Sequence, residues 1–449
     1  MGPEIPVITT EGWIALGIFV ASYIAIAVNK WDRSMIAVVG ATLMLAVGLV
    51  DQDFAFGRID LNVILLLAGM MVFVNIIKRS GLFEWLALTV AKGTGGRPTL
   101  LLVTLPVVTA VTSAFLDNVT TMILVAPITL VIANTLRIDP VPLLLAETMG
   151  SNIGGTATLV GDPPHMMIGS AAGLSFNDFL NHMSPVVILI LVAFVLMANF
   201  TFGRKLRQAP SHVEGLASLT PKKAIRDKYL LWKSIIALVV VLVLFMLHEV
   251  FAQHLGFELR PATVALIGAT LLLIGSQIPP KKGKPDSMEV LLAEVDWPTL
   301  FFFIGMFVMV AGLRANGVID VLAHFLINLT VGKPLLTALI VLWGSAVMTM
   351  GLSAVPFVVT MIPVIKSLEL QGLGTVEPLW WALSLGAALG SNGTFIGSAA
   401  NMVVIGISNR SGHPISFGEF TKKGLPITVV SLILSSLYIW LRYFELEWY

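Results

Sequence analysis

Long apolar runs separated by short polar stretches dominate the chain. Each uninterrupted run holds about 17–20 residues, which matches about 30 Å of hydrocarbon at a rise of 1.5 Å per residue. No strand-like alternation accompanies them, so the pattern favours membrane-spanning helices over a β-barrel. The predicted spans are 13–28, 34–50, 61–77, 184–203, 234–250, 262–278, 298–313 and 425–441. The pattern therefore predicts an all-α polytopic membrane protein.

Polar residues interrupt the apolar pattern in two kinds of segment. Two apolar arms at 98–134 flank a polar tip at 112–122, and a second such tip lies at 350–361. Two other segments, 150–165 and 390–401, carry helix breakers and ionisable or amide side chains where a plain apolar helix is expected. Unpaired backbone groups cost several kcal/mol each in lipid, and are tolerated only where they line a polar cavity. We therefore predict that the hairpin tips and the two broken segments surround a binding site.

The two halves of the chain resemble each other. An offset of 236 residues brings Asp60 onto Asp296 and Gly81 onto Gly317, while the similar tripeptides ending in Asn152 and Asn392 pair at a slightly larger offset. This order predicts a first repeat at 1–203, a cytoplasmic linker at 204–231 and a second repeat at 232–449. Each half has an odd number of crossings, whether its hairpin is re-entrant or spans fully. The repeats should therefore be inverted relative to each other, as in secondary transporters.

Composition and charge support a membrane protein. The chain of 449 residues is 57% hydrophobic and only 12% charged, which excludes a soluble domain. Lysine and arginine concentrate in the 204–230 segment, which indicates a cytoplasmic linker and an external N-terminus. The net charge of +1 gives no reason to expect nucleic acid, and the absence of cysteine excludes thiolate metal sites. We expect no cleaved signal peptide and a location in a prokaryotic inner membrane.

Three motifs carry a resemblance to a known family. They are "FLDNVTT", "SNIGGTATLVGDPP" and "SNGTFIGSAANMVV". Together they resemble the ion transporter superfamily over essentially the whole chain, most closely the arsenite-permease/NhaD-type branch that includes the melanosomal P protein. A more remote similarity is to the sodium-coupled dicarboxylate and citrate transporters. The resemblance implies a scaffold domain, a mobile transport domain, a homodimer and elevator-type alternating access.

The resemblance also implies site residues, and the broken segments suggest others. Those carried over from the family are Asp117, Asn118, Thr120, Thr121, Gly154, Gly155, Thr156 and Thr158, with Ser353, Asn392, Gly393, Thr394 and Ser398 in the second half. The broken segments add Ser151, Asn152, Asp162, His165, Ser391 and Asn401. A Na+ ion could be held by Asp117, Asn118, Gly154 and Thr156, and a proton by Asp117, Asp162 or Glu147.

Several of these residues have structural alternatives. Asp162 precedes two prolines and could cap the next helix, whereas Asp117 lies between apolar arms where we expect no such role. Ser353 stands where the first hairpin has Asp117, which puts the second ion site in doubt. His165 replaces the asparagine common in relatives and could add sensitivity to pH. The asparagines could merely satisfy unwound backbone.

These features predict a secondary transporter rather than an enzyme, with no cofactor beyond a coupling ion. The apolar spans hold few basic residues, with Lys78, Arg79 and Arg314 at span ends, so no arginine clamp for a dicarboxylate is visible. We predict a small anion or oxyacid, arsenite-like or organic, moved with H+ or Na+ by symport or antiport. The alternatives are a Na+/H+ antiporter and, more distantly, an anion channel or an intramembrane hydrolase using Asp162 with His165.

Overall fold

The computed structural model describes residues 7–28, 30–203, 206, 220–255, 259–278, 288–330 and 332–446, and these residues form helices and no strands. Nine of the described helices are long and apolar enough to cross a membrane. The first-half helices are α1 (Thr10–Val28), α2 (Arg33–Ala46), α3 (Gln52–Phe56), α4 (Leu61–Arg79), α5 (Leu82–Gly93), α6 (Pro98–Phe115), α7 (Asn118–Leu136), α8 (Val141–Gly155), α9 (Pro163–Ala172) and α10 (Phe176–Thr201). The remaining helices are α11 (Pro221–Ala224), α12 (Lys228–Leu255), α13 (Pro261–Gln277), α14 (Met288–Ala293), α15 (Trp297–Ala315), α16 (Val318–Thr330), α17 (Pro334–Gly351), α18 (Ala354–Leu370), α19 (Glu377–Gly390), α20 (Ala399–Arg410) and α21 (Phe417–Trp440).

All the predicted spans coincide with helices, which confirms the all-α membrane fold. Two boundaries differ for local reasons. Helix α2 ends at Ala46 rather than near 50, because Gly48 adopts a left-handed conformation (φ 75°) that an α-helix cannot continue. Helix α10 begins eight residues earlier than its apolar run, because Ser175 and Asp178 form a reciprocal capping box at its start.

The predicted linker lies mostly outside the described residues, since 204, 205 and 207–219 are not described. Its described end, α11, packs against α5. The bend between α4 and α5 is at Gly81, whose φ of 81° and position 2.0 Å from the Ala224 carbonyl oxygen (measured to an added Cβ) leave room only for glycine.

Corresponding elements recur in the two halves at the offset read from the sequence. Asp60 caps α4 by accepting from the Val63 amide at 3.2 Å, and Asp296 caps α15 by accepting from the Thr299 amide at 3.1 Å. Gly317, like Gly81, has a positive φ, of 75°. The division into domains at 203 and 232 remains a prediction, whereas the recurrence of the elements is a property of the fold.

Corresponding helices exchange partners between the halves. Helix α4 packs on α13 while α15 packs on α2, and α7 packs on α20 while α18 packs on α9. The end of α4 lies beside the start of α15, since Arg79 and Glu294 form an ion pair at 2.8 Å. The corresponding helices α4 and α15 are therefore antiparallel.

The glycines of the first broken segment do not unwind it as far as predicted. Helix α8 continues to Gly155, so the break covers 156–162 rather than 150–165, and the second break covers 391–398 rather than 390–401. The glycines serve close packing instead: a Cβ at Gly154 would lie 2.1 Å from the Ala110 carbonyl oxygen. Small residues let helices approach at backbone distance.

The same contacts correct the pairing of Asn152 with Asn392. Gly150 faces Pro106 and Gly386 faces Leu342, so both members of each contact keep the offset of 236 residues. The similar tripeptides therefore lie one helical turn out of register: Asn152 is inside α8, whereas Asn392 follows the end of α19.

Candidate functional site

A cavity of about 400 Å³ lies where both hairpin tips and both helix breaks meet the long helices α4 and α15. The α4 wall follows one helix face from Leu67 to Lys78, and the α15 wall includes Thr299, Phe302 and Phe303. Aliphatic side chains of α4 and the aromatic rings of α15 make that side apolar, while the tips and breaks supply polar groups. Volumes of this size are usual for small-molecule sites.

Seven of the predicted residues line this cavity, from both halves of the chain. They are Asp117, Asn118, Thr120, Asp162, Ser353, Ser391 and Ser398. The structure thus brings together residues that lie far apart in the sequence, at two hairpin tips and two helix breaks.

The two aspartates have the reverse of their expected capping roles. Asp117 caps α7, with the Thr120 amide donating to its carboxylate at 2.8 Å. Asp162 stands before α9, yet its side chain accepts no capping hydrogen bond. Capping is therefore part of the role of Asp117, whereas the buried carboxylate of Asp162 faces the cavity without that structural duty.

Four helices begin at the cavity wall, and the halves treat these starts differently. In the first half, an aspartate precedes both α7 and α9, and Pro163 and Pro164 deprive α9 of its first two amide donors. In the second half, the neutral Ser353 and Ser398 precede α18 and α20. A helix N-terminus carries roughly +0.5 charge, so the second-half starts leave positive potential that the first-half carboxylates cancel.

Behind the cavity, Asn152 joins the two halves. Its amide nitrogen donates to the side-chain oxygens of Asn392 at 2.8 Å and Asn401 at 2.9 Å. Its oxygen accepts from Asn118 and Ser398, each at 3.3 Å. Neither Asn152 nor its partners Asn392 and Asn401 are among the cavity-lining residues, so this network supports the wall from behind.

Two predicted threonines fasten each break to its hairpin. The hydroxyl of Thr158 donates to the Ala114 carbonyl oxygen, and that of Thr394 donates to the Met350 carbonyl oxygen. These pairs are equivalent at the offset of 236 residues. Among the other predicted residues away from the cavity wall are Thr121, Ser151, Gly155 and Gly393.

The predicted Na+ ligands are only partly assembled. Asp117 and Asn118 line the cavity, but Gly154 packs against α6 and the Thr156 hydroxyl donates to the Asn152 carbonyl oxygen at 2.8 Å. In the described part of the chain, no cluster of three acidic or histidine side chains is arranged to hold a metal ion. The four-residue set therefore needs revision, because two of its members are committed to packing.

His165 and Glu147 are fully buried and lie outside the cavity wall. The imidazole of His165 faces the Ser384 carbonyl oxygen at 3.4 Å and the ring of Phe179, rather than pairing with the Asp162 carboxylate. The Glu147 carboxylate accepts from the Thr129 hydroxyl at 2.7 Å. An Asp162–His165 catalytic pair is not formed, and the roles suggested for His165 and Glu147 stay predictions.

The sequence analysis missed two basic residues that face the cavity. Lys78 lines it at the end of α4, and Arg33 lines it at the start of α2, where its guanidinium donates to the Thr299 hydroxyl at 3.2 Å. Both were set aside as residues at span ends. Spacing offered a signal, because Met71, Asn75 and Lys78 share one face of a helix.

Comparison with known proteins agrees with this architecture. The sequence profile of the citrate transporter family (CitMHS) matches residues 23–386. The chain belongs to the CitMHS citrate transporter family. This is the resemblance that the motifs indicated more remotely, and the relatives include the P protein that they indicated more closely. The protein is thus a membrane transporter.

Relatives cover nearly all of the chain. Uncharacterized transporter Rv2685 of Mycobacterium tuberculosis is 40% identical over 96% of this chain and 99% of its own length. The human P protein is 30% identical over 98% of this chain but only 61% of its own length.

Two solved structures share the fold. The YdaH transporter of Alcanivorax borkumensis aligns with a TM-score of 0.61 at 12% identity, covering 98% of this chain and 99% of that one. MtrF of Neisseria gonorrhoeae, described as representing a class of antimetabolite efflux pumps, aligns with a TM-score of 0.60 at 13% identity, covering 97% and 95%.

Proposed function

We propose that the protein is a secondary transporter that moves a small carboxylate anion, of the class to which citrate belongs, together with Na+ or H+. The observation that carries this proposal is the single cavity formed by both hairpin tips and both helix breaks. Such breaks are the usual place for substrate and coupling ions in repeat-built transporters. The family name points to the substrate class.

The charges around the cavity suggest how the two ligands divide it. The anion would bind at the second-half helix starts beside Ser353 and Ser398, with Arg33 and Lys78 nearby. Asp117 and Asp162 would repel this anion unless a cation neutralises them. The coupling ion therefore belongs to the first half, and the anion binds well only when that ion is present, which favours symport.

Movement follows from the arrangement of the repeats. The corresponding helices α4 and α15 are antiparallel, and corresponding helices exchange partners, which supports repeats of inverted topology. We infer that the hairpins and broken helices move as one unit against α4 and α15, in an elevator-type motion. Association into a homodimer remains a prediction from family resemblance.

The substrate and coupling ion can be identified in proteoliposomes. Purified protein would be tested for uptake of arsenite, citrate, succinate, phosphate and chloride, with Na+ and H+ gradients imposed separately. We expect citrate or succinate to accumulate under one of the two gradients. Accumulation of arsenite or chloride alone, or flux that no gradient affects, would contradict the proposal.

Asp117→Asn should separate binding from coupling. This change removes the charge but keeps an oxygen that can cap α7, so anion binding should persist while gradient-driven accumulation falls by at least about ten-fold. Asp51→Asn is a matched control, because Asp51 caps α3 by accepting from the Asp53 amide at 2.9 Å, away from the cavity. Ser353→Ala should keep coupling and weaken anion binding only mildly. Wild-type accumulation by Asp117→Asn would move the coupling site to Asp162 or Glu147.

One observation favours a second candidate, a Na+/H+ antiporter. Asp117 and Asp162 line the same cavity, so Na+ and H+ could compete for neighbouring carboxylates. In that case an imposed Na+ gradient would move protons in liposomes without any organic anion. Proton movement that appears only when citrate or succinate is added would exclude the antiporter and support symport.

A further inference from the structure

The two hairpins contact the long helices unequally. Helix α18 of the second hairpin packs directly against α15, whereas the cavity lies between α4 and α7 of the first hairpin. Because the halves correspond, the opposite state of the transporter should reverse this relation. The face of α15 equivalent to the cavity wall of α4 would then be uncovered, and it runs from Phe303 to Arg314.

Basic residues gather at that covered end of α15. Arg314 occupies the position equivalent to Lys78 in the cavity. It interacts electrostatically with Arg58, which precedes α4, and Lys366 on α18 interacts with both. We name Arg58, Arg314 and Lys366 the distal cation cluster.

The cluster lies far from the mouth of the present cavity. Lys366 also interacts with Asp60 at the start of α4, and Lys78 lies 18 residues further along that helix, or about 27 Å at 1.5 Å per residue. The acidic groups at the cluster are Asp60, Asp320 and Glu369, and Asp320 also accepts from the Ser367 hydroxyl at 2.7 Å.

We infer that the distal cation cluster is a binding site for the carboxylate substrate at the opposite face of the membrane, exposed when α18 withdraws from α15. Two features support it: the repeat equivalence of Arg314 with Lys78, and Lys366 on the moving hairpin facing Arg314 on the fixed helix. Like charges meet where α18 closes on α15, so an anion that bridges them compensates their repulsion. This inference rests on the proposed anion transport.

The test uses single cysteines, because the chain has none. Val310 is buried on α15 at the position equivalent to Val74, which lines the cavity. Val74→Cys should react with membrane-impermeant methanethiosulfonates from one side only, and Val310→Cys from the other side. Failure of Val310→Cys to react from either side, under every imposed gradient, would overturn the inference.

The charge of the site is tested by comparing two reagents at Val310→Cys, one bearing a sulfonate and one a trimethylammonium group. A cationic site should favour the sulfonate reagent, and Arg314→Gln or Lys366→Gln should each lower that preference by about three- to ten-fold. Citrate should slow both reactions in the Val310→Cys protein that retains Arg314 and Lys366. Lys333→Gln, an exposed basic residue at the start of α17, is the control and should change nothing.

An unchanged reagent preference in both Arg314→Gln and Lys366→Gln would refute the site, and so would an absence of citrate protection. These readouts need no transport. Loss of the proposed function would instead show as absent gradient-driven uptake of citrate and succinate, so the two failures are distinguishable.

Discussion

At the scale of single residues, Asn152 uses its whole hydrogen-bonding capacity. Its amide donates twice and its oxygen accepts twice, and all four partners are side chains at the cavity wall or directly behind it. No other residue type offers two donors and two acceptors in so short a side chain. A fully satisfied buried network of this kind holds its members in one arrangement.

Replacing Asn152 should therefore be costly. Asn152→Asp keeps the size but turns both donors into acceptors that face the oxygens of Asn392 and Asn401. We expect a loss of roughly 1–3 kcal/mol in stability for each buried group left unsatisfied, with loss of uptake. Thermal unfolding in detergent and citrate uptake in proteoliposomes measure the two effects. Asn134→Asp, at an exposed position on α7, is the control, and equal effects of both changes would contradict the assignment.

At the scale of helices, glycine positions set how closely the first hairpin and the broken helix approach. Gly150 and Gly154 of α8 face the backbone of α6, and Gly386 and Gly390 of α19 face the backbone of α17. Each hairpin is therefore held to its own broken helix by backbone contact, which explains how two separate segments can move as one unit.

Gly154→Ala should disrupt this contact. Its Cβ would lie 2.1 Å from the Ala110 carbonyl oxygen, in backbone that cannot give way without separating α8 from α6. We expect destabilisation of about 1–3 kcal/mol and displacement of the first hairpin tip, seen as a lower melting temperature and weaker uptake. Gly17→Ala is the matched control, since a Cβ there meets nothing within 4 Å and alanine favours the helix. A Gly154→Ala protein as stable as Gly17→Ala would refute the packing argument.

At the scale of the whole molecule, inverted repeats make a prediction about sidedness. Arg97 and Lys333 precede the first helix of each hairpin, are both exposed and are equivalent at the offset of 236 residues. Cysteines placed at these two positions should react with an impermeant reagent from opposite sides of the membrane. Reaction from the same side would contradict inversion. Neither side chain caps its helix, so the substitutions should be tolerated.

Much of this molecule could be predicted from sequence, because lipid imposes strict length and polarity rules on helices. The spans, the hairpin tips and the location of both breaks followed from those rules. The extent of the breaks did not, because a glycine in the sequence does not distinguish unwinding from close packing. Only the position of Ala110 opposite Gly154 decides between them.

The roles of charged residues were harder to predict. Asp117 and Asp162 each precede a helix, and which of them caps depends on side-chain orientation, which no spacing rule specifies. Arg33 and Lys78 lie at the ends of their helices, where the sequence offers no means of knowing that a cavity opens between them. Such residues depend on tertiary arrangement.

The link between Asn152 and the second half also has an evolutionary consequence. After a duplication, the two copies of a gene segment normally diverge independently. Here a side chain of the first copy is bonded to Asn392 and Asn401 of the second, about 240 residues away in the chain. A change at any one of the three leaves a buried group unpaired until another changes to match it. Aligned relatives should therefore show these positions substituted together, as a coevolving set that spans the duplication, while most other positions in the two copies vary separately.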